Sequence, residues 1–159
     1  MKSIGPESVP RYQSPGLLRI AAAMVYDGLL LAAISIAYGA IVVGLQVAIQ
    51  GQPEAGQRIH WSAASGMAIT LGWLAILIMF YAYFWHRFGQ TLGMKTWRFQ
   101  LLDAQTYQYA SYKQCVIRSM AAILSVLLLG FGYWCKFLHP QEKMLHDVFS
   151  GTTLVLLKN

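Results

Sequence analysis

The sequence predicts an all-α membrane protein. It has two long transmembrane helices, a third apolar segment that either re-enters or spans, and a small interfacial β-hairpin or amphipathic element. Three observations lead there. Of the 159 residues, 57% are apolar and only 11% are charged, against a usual charged share of about 25%. Ile20–Ile49 is a run of 30 residues whose only charge is Asp27. Ile59–His86 is a run of 28 residues with no Asp, Glu, Lys or Arg. A helix needs about 20 apolar residues to cross the hydrocarbon core, and both runs exceed that.

The elements follow in chain order. Residues 1–16, polar and bearing Pro6, Pro10 and Pro15, read as a cytoplasmic arm, and residues 17–159 as one membrane domain. Helix 1 covers about 17–49. It is too long for the apolar region of a signal peptide and follows a proline-bearing head, so cleavage is not expected. "QGQPEAGQR" at 50–58 is a loop by its Gly, Pro and Gln content. Helix 2 covers about 61–86, with Trp61 and Trp85 at its ends in the manner of interfacial belt residues, and Gly89 and Gly93 as stop signals.

In "TWRFQLL" the residues Trp97, Phe99 and Leu101 alternate with polar ones, a period of two that favours a strand. "DAQ" at 103–105 then turns the chain into "TYQYA" as a hairpin against the headgroups, with an interfacial amphipathic helix as the alternative. The third apolar segment covers about 116–138, and its uncharged centre, Ser119–Cys135, has 17 residues, the lower limit for a crossing. Gly130 and Gly132 offer a place to turn. The tail "HDVFSGTTLVLLKN" ends in a run too short to span, which can pair as a strand with 96–102 if both lie on one side.

The net charge of +6 marks sidedness rather than nucleic-acid affinity. Lys and Arg gather on the cytoplasmic side and attract anionic headgroups. The arm to Arg19 holds three basic residues, the 50–58 loop one, and the 86–118 region five. This places the N-terminus and the 86–118 region in the cytoplasm. Lys136, Lys143 and Lys158 in the tail favour a re-entrant third segment over a full third crossing. Cys115 and Cys135 flank that segment and are expected to stay reduced, since a straight helix between them holds them about 30 Å apart.

Asp27 stands eight residues after Arg19, about 12 Å of rise and 80° of rotation along a helix. The two side chains therefore lie on neighbouring faces without direct contact. Asp27 falls about a third of the way into a core of ~30 Å. An ionised Asp at a helix centre costs about 2.5–3.5 kcal/mol, so it must face protein or water. It can carry a proton or a small cation, or it can serve as a polar clamp that fixes helix orientation.

Several motifs resemble the RDD family of small bacterial membrane proteins, named for one arginine and two aspartates. Arg19 and Asp27 in "RIAAAMVYDGLL" resemble the arginine that opens the family's first helix and the aspartate within it. "GQTLGMKTWRFQLLD" at 89–103 is similar to a family motif followed by a strand, although Met94 stands where a lysine is usual and Lys95 follows one place later. Arg118 matches an arginine ahead of the next apolar stretch, and "LHDVFSGTTLVLL" at 145–157 supplies the second aspartate, Asp147.

The resemblance implies a multi-pass inner-membrane protein with a cytoplasmic C-terminus. It also implies transport of an undefined ligand, some members being reported as sodium–proton antiporters. On that reading Asp147 reaches Arg19 at the cytoplasmic mouth, with Asp27 deeper on the same path and Arg118 and His146 in support.

His146 beside Asp147 suggests a proton relay, but successive helix residues do not face each other, and an interfacial or capping role is preferred. Tyr81, Tyr83, Phe84 and Trp85 read as a belt rather than a ligand cage. Ala40, Gly44 and Ala48 recur every four residues, the small-residue spacing that permits close helix packing within the subunit or in a dimer. No Ser–His–Asp set, phosphate-binding loop or metal-ligand pair can be placed, so no catalysis, cofactor or metal is expected. Two functions remain: a small transporter or cation/proton exchanger in the lipid bilayer, which needs a homo-oligomer to enclose a path, or a scaffold whose Arg and Asp residues are structural.

Overall fold

The fold is mostly helical, with two long apolar helices able to span a membrane and one small two-stranded sheet. This computed structural model describes residues 13–54, 59–128 and 144–157. Helix α1 is Leu17–Gln50 and α2 is Ala63–Phe88. Each ends at a glycine with positive φ, Gly51 (83°) and Gly89 (66°), where a side chain would be strained. Ser62 caps α2 by accepting a hydrogen bond from the Ser65 amide at 3.1 Å.

The two helices run antiparallel and touch at two polar contacts. The Tyr38 hydroxyl donates to the Ile69 carbonyl at 2.8 Å, and Trp73 Nε1 donates to Ser35 Oγ at 2.9 Å. Gly72 makes room there, because a Cβ at that position would stand 2.8 Å from the Tyr38 hydroxyl. Along α1 only Ile20, Ala23 and Asp27 are buried, a single face at helical spacing. Leu29, Ile36 and Ile41 lie exposed on the other sides, as apolar side chains do where the surrounding medium is hydrocarbon.

The other described elements gather at the end that holds the start of α1 and the finish of α2. Short α3, Leu92–Thr96, packs on α1. Strand β1, Phe99–Asp103, pairs antiparallel with β2, Thr152–Leu156, in the register Phe99↔Leu156 to Asp103↔Thr152. Helix α4, Tyr112–Leu127, packs on α2, and α5, Leu145–Ser150, packs on α4. The segment before α1 meets β2 in this cap: the Leu156 amide donates to the Gln13 carbonyl at 2.9 Å. Phe99, Leu101, Met144, Cys115 and Ala110 are fully buried and form the centre of the core with Trp85 and Met94.

Several expectations are modified. The ladder partner of β1 is the tail, the alternative pairing raised by its β-rich run, while "TYQYA" contributes one bridge, Leu102↔Tyr109. Trp97 lies outside the strand because α3 runs through Thr96 and Arg98 takes a positive φ of 56°. Trp85 is not a belt residue. It turns inward and is buried, whereas Tyr83 and Trp61 are exposed. Cys115 is a buried free thiol. Cys135, Gly130, Gly132 and the choice between spanning and re-entry lie outside the described residues.

Candidate functional site

The "GQTLGM" stretch folds as a docking module for Asp27. Gly89 closes α2, and its carbonyl accepts from the Leu101 amide at 2.7 Å, which ties the turn to β1. Thr91 is the N-cap of α3 and accepts from the Met94 amide at 3.2 Å. Its hydroxyl donates in turn to Asp27 Oδ2 at 2.6 Å, and the Gly93 amide donates to Asp27 Oδ1 at 2.9 Å. One carboxylate thereby satisfies a side chain and a free amide at the start of a helix, where negative charge is favoured. Gly93 is required by proximity: a Cβ there would lie 2.2 Å from the Ala23 carbonyl oxygen. Met94 is buried, and its Sδ accepts from Trp85 Nε1 at 3.2 Å, while Lys95 is exposed. The departure from the family lysine thus places a thioether in the core.

Trp85 joins this module to a buried ion pair. Its ring carries the Arg118 guanidinium at 4.4 Å from the ring centroid, a favourable cation–π geometry. Arg118 Nε donates to Asp147 Oδ1 at 2.8 Å, and the two side chains are 7% and 3% exposed. Arg118 lies in the second turn of α4, whose start is fixed by a capping box between Ser111 and Gln114. Asp147 lies in the first turn of α5. The expected pairing of Arg19 with Asp147 is therefore corrected. Arg19 is exposed on α1, and α5 presents Asp147 to α4 instead.

His146 is 2% exposed and its Nε2 stands 3.9 Å from Asp147 Oδ1, beyond hydrogen-bond length. Burial, with the Arg118 charge adding to it and Asp147 opposing, pulls its pKa down to about 4. The imidazole is therefore neutral at pH 7, which leaves the relay without its charged form.

A second junction escaped the sequence reading. Asp103 at the end of β1 accepts from the Gln105 and Thr106 amides at 2.8 Å each and from the Gln114 side chain. These bonds hold its carboxyl down at about 2, Gln114 contributing most. The signals were local: an Asp three residues before a Thr, and a Ser three residues before a Gln. Thr91, Gly93 and Trp85 as partners of the acid and the arginine had no local signal.

Asp27, Arg118 and His146 face one cleft of about 470 Å³ between α1, α2 and α4, floored by the cap. The sequence-predicted residues thus divide. Asp27, Arg118, His146 and, through Arg118, Asp147 come together; Arg19 does not. Ala40, Gly44 and Ala48 lie exposed on α1, with nothing within 4 Å of the place a Cβ on Gly44 would take. Packing of this stripe within the subunit is not seen among the described residues.

No curated protein and no solved structure matches this chain. A family model matches residues 15–151, from the foot of α1 to the glycine before β2, and so includes both aspartates, both arginines and the docking motif between them. With two apolar helices able to cross a bilayer, the chain is a membrane protein that belongs to the RDD family.

Proposed function

We propose that this protein is a multi-pass carrier of the inner membrane that moves a cation or proton as a homo-oligomer. The observation behind this is the state of Asp27. It is 4% exposed and faces the cleft, and among the described residues its carboxylate takes hydrogen bonds from two neutral donors. Among the described residues no cation stands within ion-pair distance of it. A charge taken out of water without a counter-charge is costly, and a proton or cation arriving from outside relieves that cost. Arg118 and Asp147 neutralise each other, so Asp27 is the group with capacity to spare. Among the described residues α1, α2 and α4 leave a cleft rather than a closed path, and the exposed Ala40, Gly44 and Ala48 stripe allows a second copy to approach closely.

Depth and sidedness support the same reading. Helix α1 has 34 residues, about 51 Å, well beyond a hydrocarbon core of about 30 Å. The contacts of Ser35 with Trp73 and of Tyr38 with Ile69 set Asp27 level with about Tyr81. Asp27 then sits where the apolar pair meets the polar cap, shallower than the sequence alone implied. Gln13 and Leu156 hydrogen-bond in that cap, which favours both termini on one side. The basic residues between 86 and 118 make that side the cytoplasm.

The test is flux through purified protein in liposomes, with a reporter fused after Asn159 to read orientation. Asp27→Asn keeps shape: its Oδ1 can accept from Gly93 and its Nδ2 can donate to the Thr91 oxygen. Coupled flux should vanish while the fold survives. A scaffold reading is favoured by the hydrogen bonds from Thr91 and Gly93, which by themselves explain why an acid stands in α1. Absence of flux from the wild-type protein, or flux unchanged in Asp27→Asn, would decide for the scaffold.

A further inference from the structure

We infer that the Asp27 cleft takes an organic cation with an apolar body, an ammonium or phosphonium wrapped in hydrocarbon, in preference to a bare alkali cation. This rests on the carrier reading above and narrows its substrate class.

Size is the first reason. The cleft holds about 470 Å³, within the range of about 300–1,000 Å³ of sites for organic ligands. A bare cation fills a small fraction of such a space and leaves the rest to water against apolar walls.

Wall chemistry is the second reason. Leu31, Leu74, Leu77, Ile78 and Ile123 face the cleft. A hard cation exchanges its hydration shell for a cage of several oxygens. Among the described lining residues the side-chain oxygens are those of Asp27, Tyr81 and Ser119, and Ser119 already donates to the Cys115 carbonyl at 3.0 Å. Among the described residues no group of three or more His, Cys, Asp or Glu side chains could complete a cage. An organic cation asks for less, because its charge is spread or shielded and its body gains from burial.

Rings and charge are the third reason. Trp73, Tyr81 and Trp85 line the same space, and aromatic faces attract organic cations. The site already uses that attraction once, holding the Arg118 guanidinium over Trp85. Among the described residues facing the cleft, Asp147 cancels Arg118 and His146 is neutral, so an ionised Asp27 leaves one negative charge. That charge stands at the cap end, with the apolar walls running from it between the long helices. A cation with an apolar body matches both parts, and an anion of the same shape is repelled.

The full-length protein in nanodiscs of neutral phosphatidylcholine tests this by equilibrium binding of radiolabelled tetraphenylphosphonium. Tetraphenylborate, nearly the same shape with the opposite charge, is measured separately. The expected result is saturable phosphonium binding, weakened at least tenfold by Asp27→Asn, with no saturable binding of the borate. Ala122→Trp, which fills the cleft without touching the contacts of Asp27, should weaken binding by a similar factor, so the idea stays testable if Asp27→Asn folds poorly. No saturable phosphonium binding, equal binding by wild type and both variants, or equal binding of the borate overturns the inference. A parallel pH-gradient assay in liposomes separates the two readings. Asp27-dependent flux without phosphonium binding sinks the organic-cation class and leaves the carrier. Phosphonium binding without flux upholds the class and sinks the carrier.

Discussion

Breaking the Arg118–Asp147 pair is the sharpest test of how the cap is held to the helices. The pair is 2.8 Å long and almost fully buried. Removing one partner strands the other charge away from water, which costs about 3–5 kcal/mol. Arg118→Ala also loses the cation–π contact with Trp85, a further 0.5–2 kcal/mol or about that, so it should be the worse of the two single variants. The double variant should lose less than the sum, by up to about 3 kcal/mol, because no charge is left stranded. Exposed Arg19→Ala should stay within about 0.5 kcal/mol of wild type. Unfolding in mixed micelles by increasing anionic detergent, followed by tryptophan fluorescence, reads these differences. Additive losses in the double variant, or an Arg19→Ala loss as large as that of Arg118→Ala, would refute the assignment of Arg118 as the partner of Asp147.

Two further outcomes can be read in the same assay. Gly93→Ala forces a Cβ to within 2.2 Å of the Ala23 carbonyl oxygen, so α3 must lift from α1. The expected loss is about 1–3 kcal/mol or more, and wild-type stability would mean that the two helices do not sit this close. His146 has its pKa pulled down to about 4 in the fold, from about 6.5 when unfolded. Between those values the unfolded chain binds a proton that the folded chain refuses. Stability is therefore full above about pH 6.5 and falls as pH drops toward 4, by about 3 kcal/mol in all. His146→Gln should flatten that part of the profile; an unchanged slope would place the titrating group elsewhere.

The parts of this fold legible in the sequence are those governed by local pattern. Runs of uncharged residues gave the two helices, and the alternation around Phe99 and Leu101 gave a strand whose partner was among the pairings considered. The parts that stayed hidden are contacts across long stretches of chain. Asp27 meets Thr91 and Gly93, 64 and 66 residues away, and nothing in "MVYDGLL" says which loop will supply the donors. Arg19 looked like the partner of Asp147 because both are charged and both belong to the family pattern. The choice fell to Arg118 because α5 packs on α4, a tertiary fact. Trp85 misled for a related reason. A tryptophan at a helix end suits an interface, but here the indole found a buried acceptor in Met94 and a cation to carry.

Asp27 and Asp147 are buried to almost the same degree, 4% and 3% exposed, yet their surroundings differ. Asp147 meets a guanidinium that is itself held by an aromatic face, so its charge is spent inside the fold and losing it would strand Arg118. Among the described residues Asp27 meets a hydroxyl and an amide, donors that hold its two oxygens in place without cancelling its charge. Those same donors explain why an apolar helix tolerates an acid at this position: the start of α3 needs an acceptor, and Gly93 lets it come close enough to reach one. The clamp therefore keeps the carboxylate fixed at the mouth of the cleft, held by neutral donors. Among the described residues, Asp147 thus has both its geometry and its charge satisfied by partners in the fold, whereas the partners of Asp27 satisfy its geometry alone.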